Sequence, residues 1–230
     1  MPYPSTVSAM KRAYHTALAV ISLVVAVSCT NNTETAPRPA ALTTAAAGVT
    51  RQLKDAGGVV VKVGGSIVRF DAKLAAFEVG AGTASHYKFV NGRIYVDASV
   101  GAKEAYVEGT DENLKKLGVD PVQVKQDALM LLLLMTLPSS LSSWSEGITS
   151  RATLSERTVR ITVKQESLRN GLAAGLKPST NFFFTTGPDG TLVGWGVVDR
   201  PGAALEVISY EEVSVEQPSN DVLVAVGNTP

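Results

Sequence analysis

The feature that most constrains the fold is a series of β-type segments between Val59 and Glu108, which leaves no room for a helix between them. β-branched and aromatic residues recur in these segments, as is typical of strands. Strands joined only by short turns pair in antiparallel fashion, because parallel pairing needs a long crossover connection. An antiparallel sheet is therefore predicted. Its first strands are Val59–Val63, Ser66–Phe70, Leu74–Val79, His86–Val90, Arg93–Asp97 and Ala105–Glu108.

The pair Asn91-Gly92 gives the strongest local signal within this series, because it separates two alternating segments. Asn-Gly favours the left-handed conformations that a tight two-residue hairpin turn requires. Gly64-Gly65 is interpreted as a bulge or a turn between the first two strands.

Helices are predicted before and after this strand series. Leu42–Ala56 is rich in Ala, has apolar residues at helical spacing and is followed by two glycines. Asp111–Leu117 is a short helix, and Asp120-Pro121 is a typical start for the next one. That central helix is predicted to run to Leu137, where Pro138 would end it.

A second group of strands follows the central helix. The predicted segments are strands at Ile148–Ser155, Thr158–Val163, Asn181–Thr186, Thr191–Asp199 and Ala204–Tyr210, a continuation of the last strand at Val213–Glu216, and a helix at Glu166–Leu176. A helix, several strands, a helical insert and more strands together predict an α+β fold. One curved antiparallel sheet with helices packed on its concave side satisfies this order.

The N-terminus has the pattern of an export signal. Lys11 and Arg12 precede an apolar segment, Ala17–Val27, whose 11 residues are too short to span a bilayer. The segment leads into Ala-Val-Ser-Cys29, which is similar to a bacterial lipobox. Residues 1–28 are therefore predicted to be a lipoprotein signal peptide, and Cys29 a lipidated N-terminus on the extracytoplasmic face of the cell membrane. The alternative is a lone cysteine after an ordinary export signal.

The remaining chain is predicted to comprise a tether and one domain. Residues 29–41 contain two prolines and no large apolar side chain, a composition that favours a flexible tether. Residues 42–230 are enough for one hydrophobic core and contain no second linker.

Charge and residue counts exclude several kinds of function. The chain has 21 Lys and Arg against 21 Asp and Glu, and removal of residues 1–28 leaves a formal charge of −2. A basic face for nucleic acid is therefore not expected. Cys29 is the only cysteine, and His86 is the only histidine beyond the signal peptide. No Gly-x-Ser-x-Gly motif and no set of metal ligands accompanies His86, so we predict no catalytic residue, no metal and no cofactor.

The central helix is apolar on every side from Ala128 to Met135. Such a helix must be covered all round, either as part of the core or as the wall of an apolar cavity. An acyl chain needs apolar lining and few polar contacts. The predicted lining residues, each with core packing as its alternative, are Phe70, Phe77, Leu129, Met130, Leu133, Leu134 and Phe182.

The signal with its lipobox, the tether, the Phe89–Val96 hairpin and the segment Ala204–Pro218 together resemble the LppX/LprG-type lipoproteins of mycobacteria. That family has a half-barrel like the LolA and LolB carriers, closed by helices over a hydrophobic cavity. Its members bind acylated lipids or glycolipids and help deliver them to the outer envelope. The resemblance implies a membrane-anchored lipid carrier without enzymatic activity, with an envelope transporter as a candidate partner. A non-carrier scaffold or sensor on the same fold is the alternative.

Overall fold

The computed structural model of the chain describes residues 39–80, 87–99, 103–144, 147–168, 181–198 and 203–227. The predictions for the signal peptide, Cys29, His86 and most of the tether lie outside these ranges. Most of the helix predicted at Glu166–Leu176 also lies outside them. Its first residues belong to one described turn of 3₁₀ helix, Gln165–Leu168.

Eleven strands form one antiparallel sheet in the order β6-β5-β4-β3-β2-β1-β11-β10-β9-β8-β7, with β6 and β7 at its edges. Together with the helices this confirms the predicted α+β class. The strands are β1 Gly58–Val63, β2 Ser66–Asp71, β3 Ala76–Val79, β4 Tyr87–Val90, β5 Arg93–Asp97, β6 Tyr106–Glu108, β7 Ile148–Ser155, β8 Thr158–Val163, β9 Asn181–Thr186, β10 Leu192–Val197 and β11 Ala204–Tyr210.

Within the described ranges the α-helices are α1 Pro39–Ala56, α2 Asp111–Lys116 and α3 Pro121–Trp144. Helix α3 starts as predicted, because Asp120 Oδ1 accepts a hydrogen bond from Val122 N at 2.9 Å. Its predicted end at Leu137 is wrong, since the helix continues through Pro138 for six more residues.

The bond pattern around Leu134 explains why Pro138 does not end α3. A proline has no N–H to donate to the carbonyl four residues earlier, which here is that of Leu134. The indole Nε1 of Trp195 donates to the Leu134 carbonyl oxygen instead, at 2.6 Å. The acceptor that Pro138 leaves without its helical donor is therefore satisfied from β10.

The chain divides into two compact units. The first contains residues 56–129 and 208–227, and the second contains residues 39–55 and 130–207, within the described ranges. Helix α3 and strand β11 contribute residues to both. The single-domain organisation of residues 42–230 stays a prediction.

In the first unit, strand register places the side chains of β1–β6 on two faces. Phe70, Phe77 and Phe89 are successive partners across β2, β3 and β4, and their face is here called the aromatic face. Tyr95 and Tyr106 belong to the opposite face, here called the strap face, because a C-terminal segment packs against it.

That segment, the C-terminal strap, comprises residues 211–227. The predicted continuation of β11 at Val213–Glu216 is wrong, because these residues lie outside the sheet ladder. Val213 and Val215 instead pack into a buried cluster with Tyr95 and Tyr106. The reason is a buried carboxylate, since Asp71 Oδ2 accepts a hydrogen bond from Val215 N at 3.4 Å.

The strap also reaches the edge strand β6. Tyr106 N donates to Val222 O at 2.8 Å, and Val224 N donates to Tyr106 O at 2.9 Å. Exposed strand edges invite pairing with other chains, so these bonds protect the edge at Tyr106.

The second unit has its own aromatic core. The rings of Trp144 in α3 and Phe182 in β9 lie 5.0 Å apart. Ile161, Phe184 and Trp195 from β8, β9 and β10 are almost fully buried in the same unit.

Candidate functional site

A row of aromatic side chains crosses the middle of the aromatic face. The ring of Phe77 stacks on that of Phe89 at 5.2 Å with an interplanar angle of 12°. The ring of Tyr87 meets Phe77 edge-on at 6.0 Å. Alternation along β4 brings Tyr87 and Phe89 to the same face, and register aligns them with β3.

Part of this row is open to solvent. Val79, Tyr87 and Phe89 are half-buried, whereas Val68 and Val96, which lie in the same cross-strand row as Val79 and Tyr87, are buried. We call the three half-buried residues the β3–β4 patch. It is a contiguous apolar surface with Phe77 in contact beside it, and it carries no charged group. Such a surface suits an apolar ligand, which needs area more than specific polar contacts.

The predicted lining residues divide between core and surface. Phe70 and Phe77 are buried register partners in the first unit. Leu133, Leu134 and Phe182 are buried in the second unit, where Phe182 contacts Trp144. A common cavity lined by these residues stays a prediction. The remaining two, Met130 and Leu129, are respectively half-buried and 52% exposed.

Helix α3 is not covered all round, contrary to the expectation from its composition. Val122 is 61% exposed and Leu129 is 52% exposed, seven residues apart on one side of the helix. The segment Pro121–Leu141 is long and apolar enough to cross a membrane by length and composition, and half of it is buried inside the protein. A core helix passes the same test.

The sequence reasoning did not select Val79, Tyr87 or Phe89 as candidate lining residues. The signal that identifies them is the period of two in β4, which places Tyr87 and Phe89 on one face. These three residues are partly exposed, whereas Phe77 is buried. That difference depends on which other segments pack on each position, and the strand sequence does not encode it.

Two buried tyrosine hydroxyls have no hydrogen-bond partner among the described residues, namely those of Tyr95 and Tyr210. Burial raises the pKa of Tyr210 to about 12. Burial also raises the pKa of Tyr106, although the Lys88 ammonium, 4.7 Å from its ring centroid, acts in the opposite direction. The phenols of Tyr106 and Tyr210 are therefore neutral at ordinary pH and cannot serve as bases there.

Burial likewise raises the pKa of Asp127 in α3, whose carboxylate accepts a hydrogen bond from Gln123 Nε2 at 2.7 Å. Within the described ranges, no group of three or more His, Cys, Asp or Glu side chains could hold a metal ion.

The second unit contains a groove of about 620 Å³ between one face of α1 and the turn that joins β9 to β10. We call it the α1 groove. Its floor includes Ala41, Ala45 and Gly48, and its charged lining residues are Arg51 and Asp189. The volume falls within the range of small-ligand sites.

Comparison with known proteins gives matches among solved structures alone. No protein-family model and no curated protein matches the chain. Among solved structures, the Mycobacterium tuberculosis lipoprotein LppX is similar, with 15% sequence identity, 76% of this chain and 98% of that chain covered, and a TM-score of 0.40. The fold class given above rests on the strands and helices of this chain.

Proposed function

We propose that the chain is a membrane-anchored extracytoplasmic lipoprotein that binds acyl lipids or glycolipids and helps to move them through the cell envelope. The observation that carries the proposal is the β3–β4 patch, an apolar, partly open surface beside a stacked aromatic row. The lipobox at Cys29 and the sequence resemblance to lipid-carrier lipoproteins support the anchor and the ligand class.

The physical basis is the transfer of hydrocarbon out of water. Each buried methylene stabilises a complex by about 0.8 kcal/mol, so a single acyl chain binds without a specific polar site. Phe77, Phe89 and Tyr87 offer flat rings against which such a chain can pack.

Mass spectrometry of residues 30–230 under native and denaturing conditions tests the proposal. We expect a reproducible mass excess in the native spectrum that disappears on denaturation and matches extractable phospholipid or glycolipid. A folded protein of bare mass that also takes up no added acyl lipid would contradict the proposed carrier function.

Two matched substitutions locate the ligand. Val79→Lys places a charge in the β3–β4 patch, whereas Val193→Lys places one at a 36% exposed strand position in the second unit. We expect Val79→Lys to lose the bound mass and Val193→Lys to keep it, with unchanged circular dichroism in both. Retention of the ligand by folded Val79→Lys would exclude the patch as its site.

The second candidate function is a scaffold or sensor on the same fold. It is favoured by the near-complete burial of Phe70 and Phe77, which indicates that much of the aromatic face is filled by the protein itself. The bare-mass result described above would support it.

A further inference from the structure

We propose that the α1 groove binds one ethanolamine phospholipid of the membrane in which the chain is anchored. The inference rests on the anchor of the proposed function, but it concerns a different site from the β3–β4 patch. The ligand class follows from the floor of the groove, its charges and its distance from Cys29.

The floor of the groove is made of small residues on one side of α1. Ala41, Ala45 and Gly48 line it, with Val49 beside them. Gly48 lies in the middle of the helix, where only proline is less favourable than glycine. A Cβ atom added at Gly48 would meet nothing within 4 Å, so no neighbouring group in the protein requires a glycine there. The missing side chain instead leaves room for an extended apolar chain to lie against the helix.

The charges of the groove match a zwitterion. Arg51 is exposed and takes part in none of the ion pairs among the described residues. Asp189 Oδ1 accepts from Thr191 N at 3.1 Å and from Thr191 Oγ1 at 2.7 Å, which leaves Oδ2 free of both bonds. The same hydrogen bonds lower the pKa of Asp189, so its carboxylate is ionised at neutral pH.

One cation and one anion together select the headgroup. The guanidinium of Arg51 can bind a phosphate through paired hydrogen bonds. The carboxylate of Asp189 can accept from a primary ammonium, whereas a choline headgroup has no N–H to donate. An anionic headgroup would satisfy Arg51 and be repelled by Asp189. Ethanolamine phospholipid complements both groups.

The tether places the groove within reach of the bilayer. Ten residues, 29–38, separate the start of α1 from the anchor, and they span at most about 35 Å when extended. The groove extends along α1 only as far as Gln52, about 20 Å from Pro39 along the helix axis. The lipids nearest to the anchor are therefore the ones that the groove meets.

Hydrogen–deuterium exchange of the full chain on vesicles tests the inference. The vesicles contain phosphatidylcholine alone, or with added phosphatidylethanolamine or phosphatidylglycerol. The chain is retained either by an acylated Cys29 or by an uncleaved apolar segment. We expect exchange in residues 44–52 and 189–192 to slow roughly tenfold with phosphatidylethanolamine only. Equal exchange on all three vesicle types would overturn the inference.

Gly48→Leu and Ala47→Leu form a matched pair for the floor. Leucine at position 48 fills the groove and is a better helix former than glycine, so the variant should fold with no loss of thermal stability. Leucine at position 47 lies at an exposed position outside the groove lining. We expect Gly48→Leu to abolish the slower exchange and Ala47→Leu to retain it. If phosphatidylethanolamine vesicles still slow the exchange in folded Gly48→Leu, the lipid does not lie against Gly48 and the inference is wrong.

Charge variants test the headgroup. Arg51→Gln should remove the slowing, whereas Lys54→Gln, on an exposed position of the same helix, should leave it. Asp189→Asn keeps the acceptor for Thr191 but loses the charge, so the preference for phosphatidylethanolamine over phosphatidylglycerol should disappear. If Asp189→Asn keeps that preference, the carboxylate does not select the headgroup and the assignment is wrong.

The two lipid sites can fail independently. Gly48→Leu should still carry the mass excess expected for residues 30–230, because the β3–β4 patch is untouched. If wild-type residues 30–230 carry no such mass excess but exchange in the full chain still slows on phosphatidylethanolamine vesicles, the proposed carrier is rejected and the groove is kept.

Discussion

At the scale of single residues, the helix α3 depends on a hydrogen bond from another element. Trp195 Nε1 donates to the Leu134 carbonyl that Pro138 leaves without its helical donor. The bond is buried, so a variant without the indole donor would bury the Leu134 carbonyl oxygen without a hydrogen-bond partner, which lowers stability. This arrangement makes Trp195 and Pro138 energetically dependent on each other.

A double-mutant cycle measures that dependence. Trp195→Phe should lower the free energy of unfolding by about 3 kcal/mol, from the unsatisfied carbonyl and the lost indole volume. In a Pro138→Ala background the alanine N–H can donate to Leu134, so the loss should be smaller by about 1 kcal/mol. Urea denaturation of the four proteins provides the values. Equal losses in both backgrounds would show that the two residues act independently.

The phenol of Tyr210 predicts a stability change at high pH. Burial raises its pKa to about 12 in the folded chain, against an ordinary value near 10. The folded state therefore holds its proton more tightly than the unfolded state, and the contribution of Tyr210 to stability is present below pH 10 and lost as the pH rises towards 12.

Tyr210→Phe should remove this part of the pH dependence. We expect wild-type stability in urea to fall more steeply than that of Tyr210→Phe between pH 9.5 and 11.5. A parallel decline in both proteins would mean that the Tyr210 hydroxyl titrates as it would in water.

The residue scale also shows why some features were predictable and others were not. Asn91 and Gly92 adopt φ values of 53° and 74°, as the sequence predicted for a hairpin turn, because that preference is local. Pro138 was predicted to end α3 on an equally local rule. That rule failed because Trp195, 57 residues away in sequence, supplies the missing donor.

At the scale of elements, the close contact of β1 with the strap requires glycine at position 58. A Cβ atom there would lie 2.6 Å from Val213 Cβ and 2.7 Å from the Phe70 carbonyl oxygen. Contacts this short force the strap or the strand to move.

Gly58→Ala should therefore lower the free energy of unfolding by about 1–3 kcal/mol. Gly65→Ala is the matched control, because its Cβ would meet nothing within 4 Å. Hydrogen exchange should also accelerate at Val215 in Gly58→Ala alone. If both variants were equally stable, the strap would be free to move away from β1.

Elements differ in how far the sequence defines them. All the strands except β3 and β10 follow the predicted bounds to within one residue, since β-branched and aromatic residues recur in them and turn residues separate them. Helix α1 begins three residues earlier than predicted, at Pro39, because proline is well tolerated in a first helical turn. The strap looked like a strand because Val213 and Val215 alternate, yet its partner is the Asp71 carboxylate.

At the scale of the whole molecule, the proposed location of the chain at the membrane depends on Cys29. Cys29→Ser removes the thiol that the predicted lipobox would acylate. In an exporting bacterial host, we expect the wild-type chain to incorporate radiolabelled palmitate and to fractionate with membranes, and Cys29→Ser to do neither. Palmitate labelling of Cys29→Ser would place the lipid on another residue, and an unlabelled wild-type chain would contradict the anchor.

The candidate site was predictable in chemistry but not in position. Composition and the apolar helix predict an apolar ligand, and Phe77, predicted to line its cavity, lies in the stacked aromatic row, while its place in a cavity stays a prediction. Whether a residue such as Leu133 or Val79 is exposed to solvent depends on which distant segments pack against it. That exposure is a property of tertiary packing, which a single sequence does not show.

The C-terminal strap has a consequence for biogenesis. In the export that we propose, the chain crosses the membrane from its N-terminus, so β1–β6 would arrive first. More than one hundred residues separate β6 from Val213, which packs against the strap face of these strands. Until translocation ends, Tyr95 and its apolar neighbours stay uncovered, and an envelope protease could distinguish a truncated product from a finished one by that surface alone.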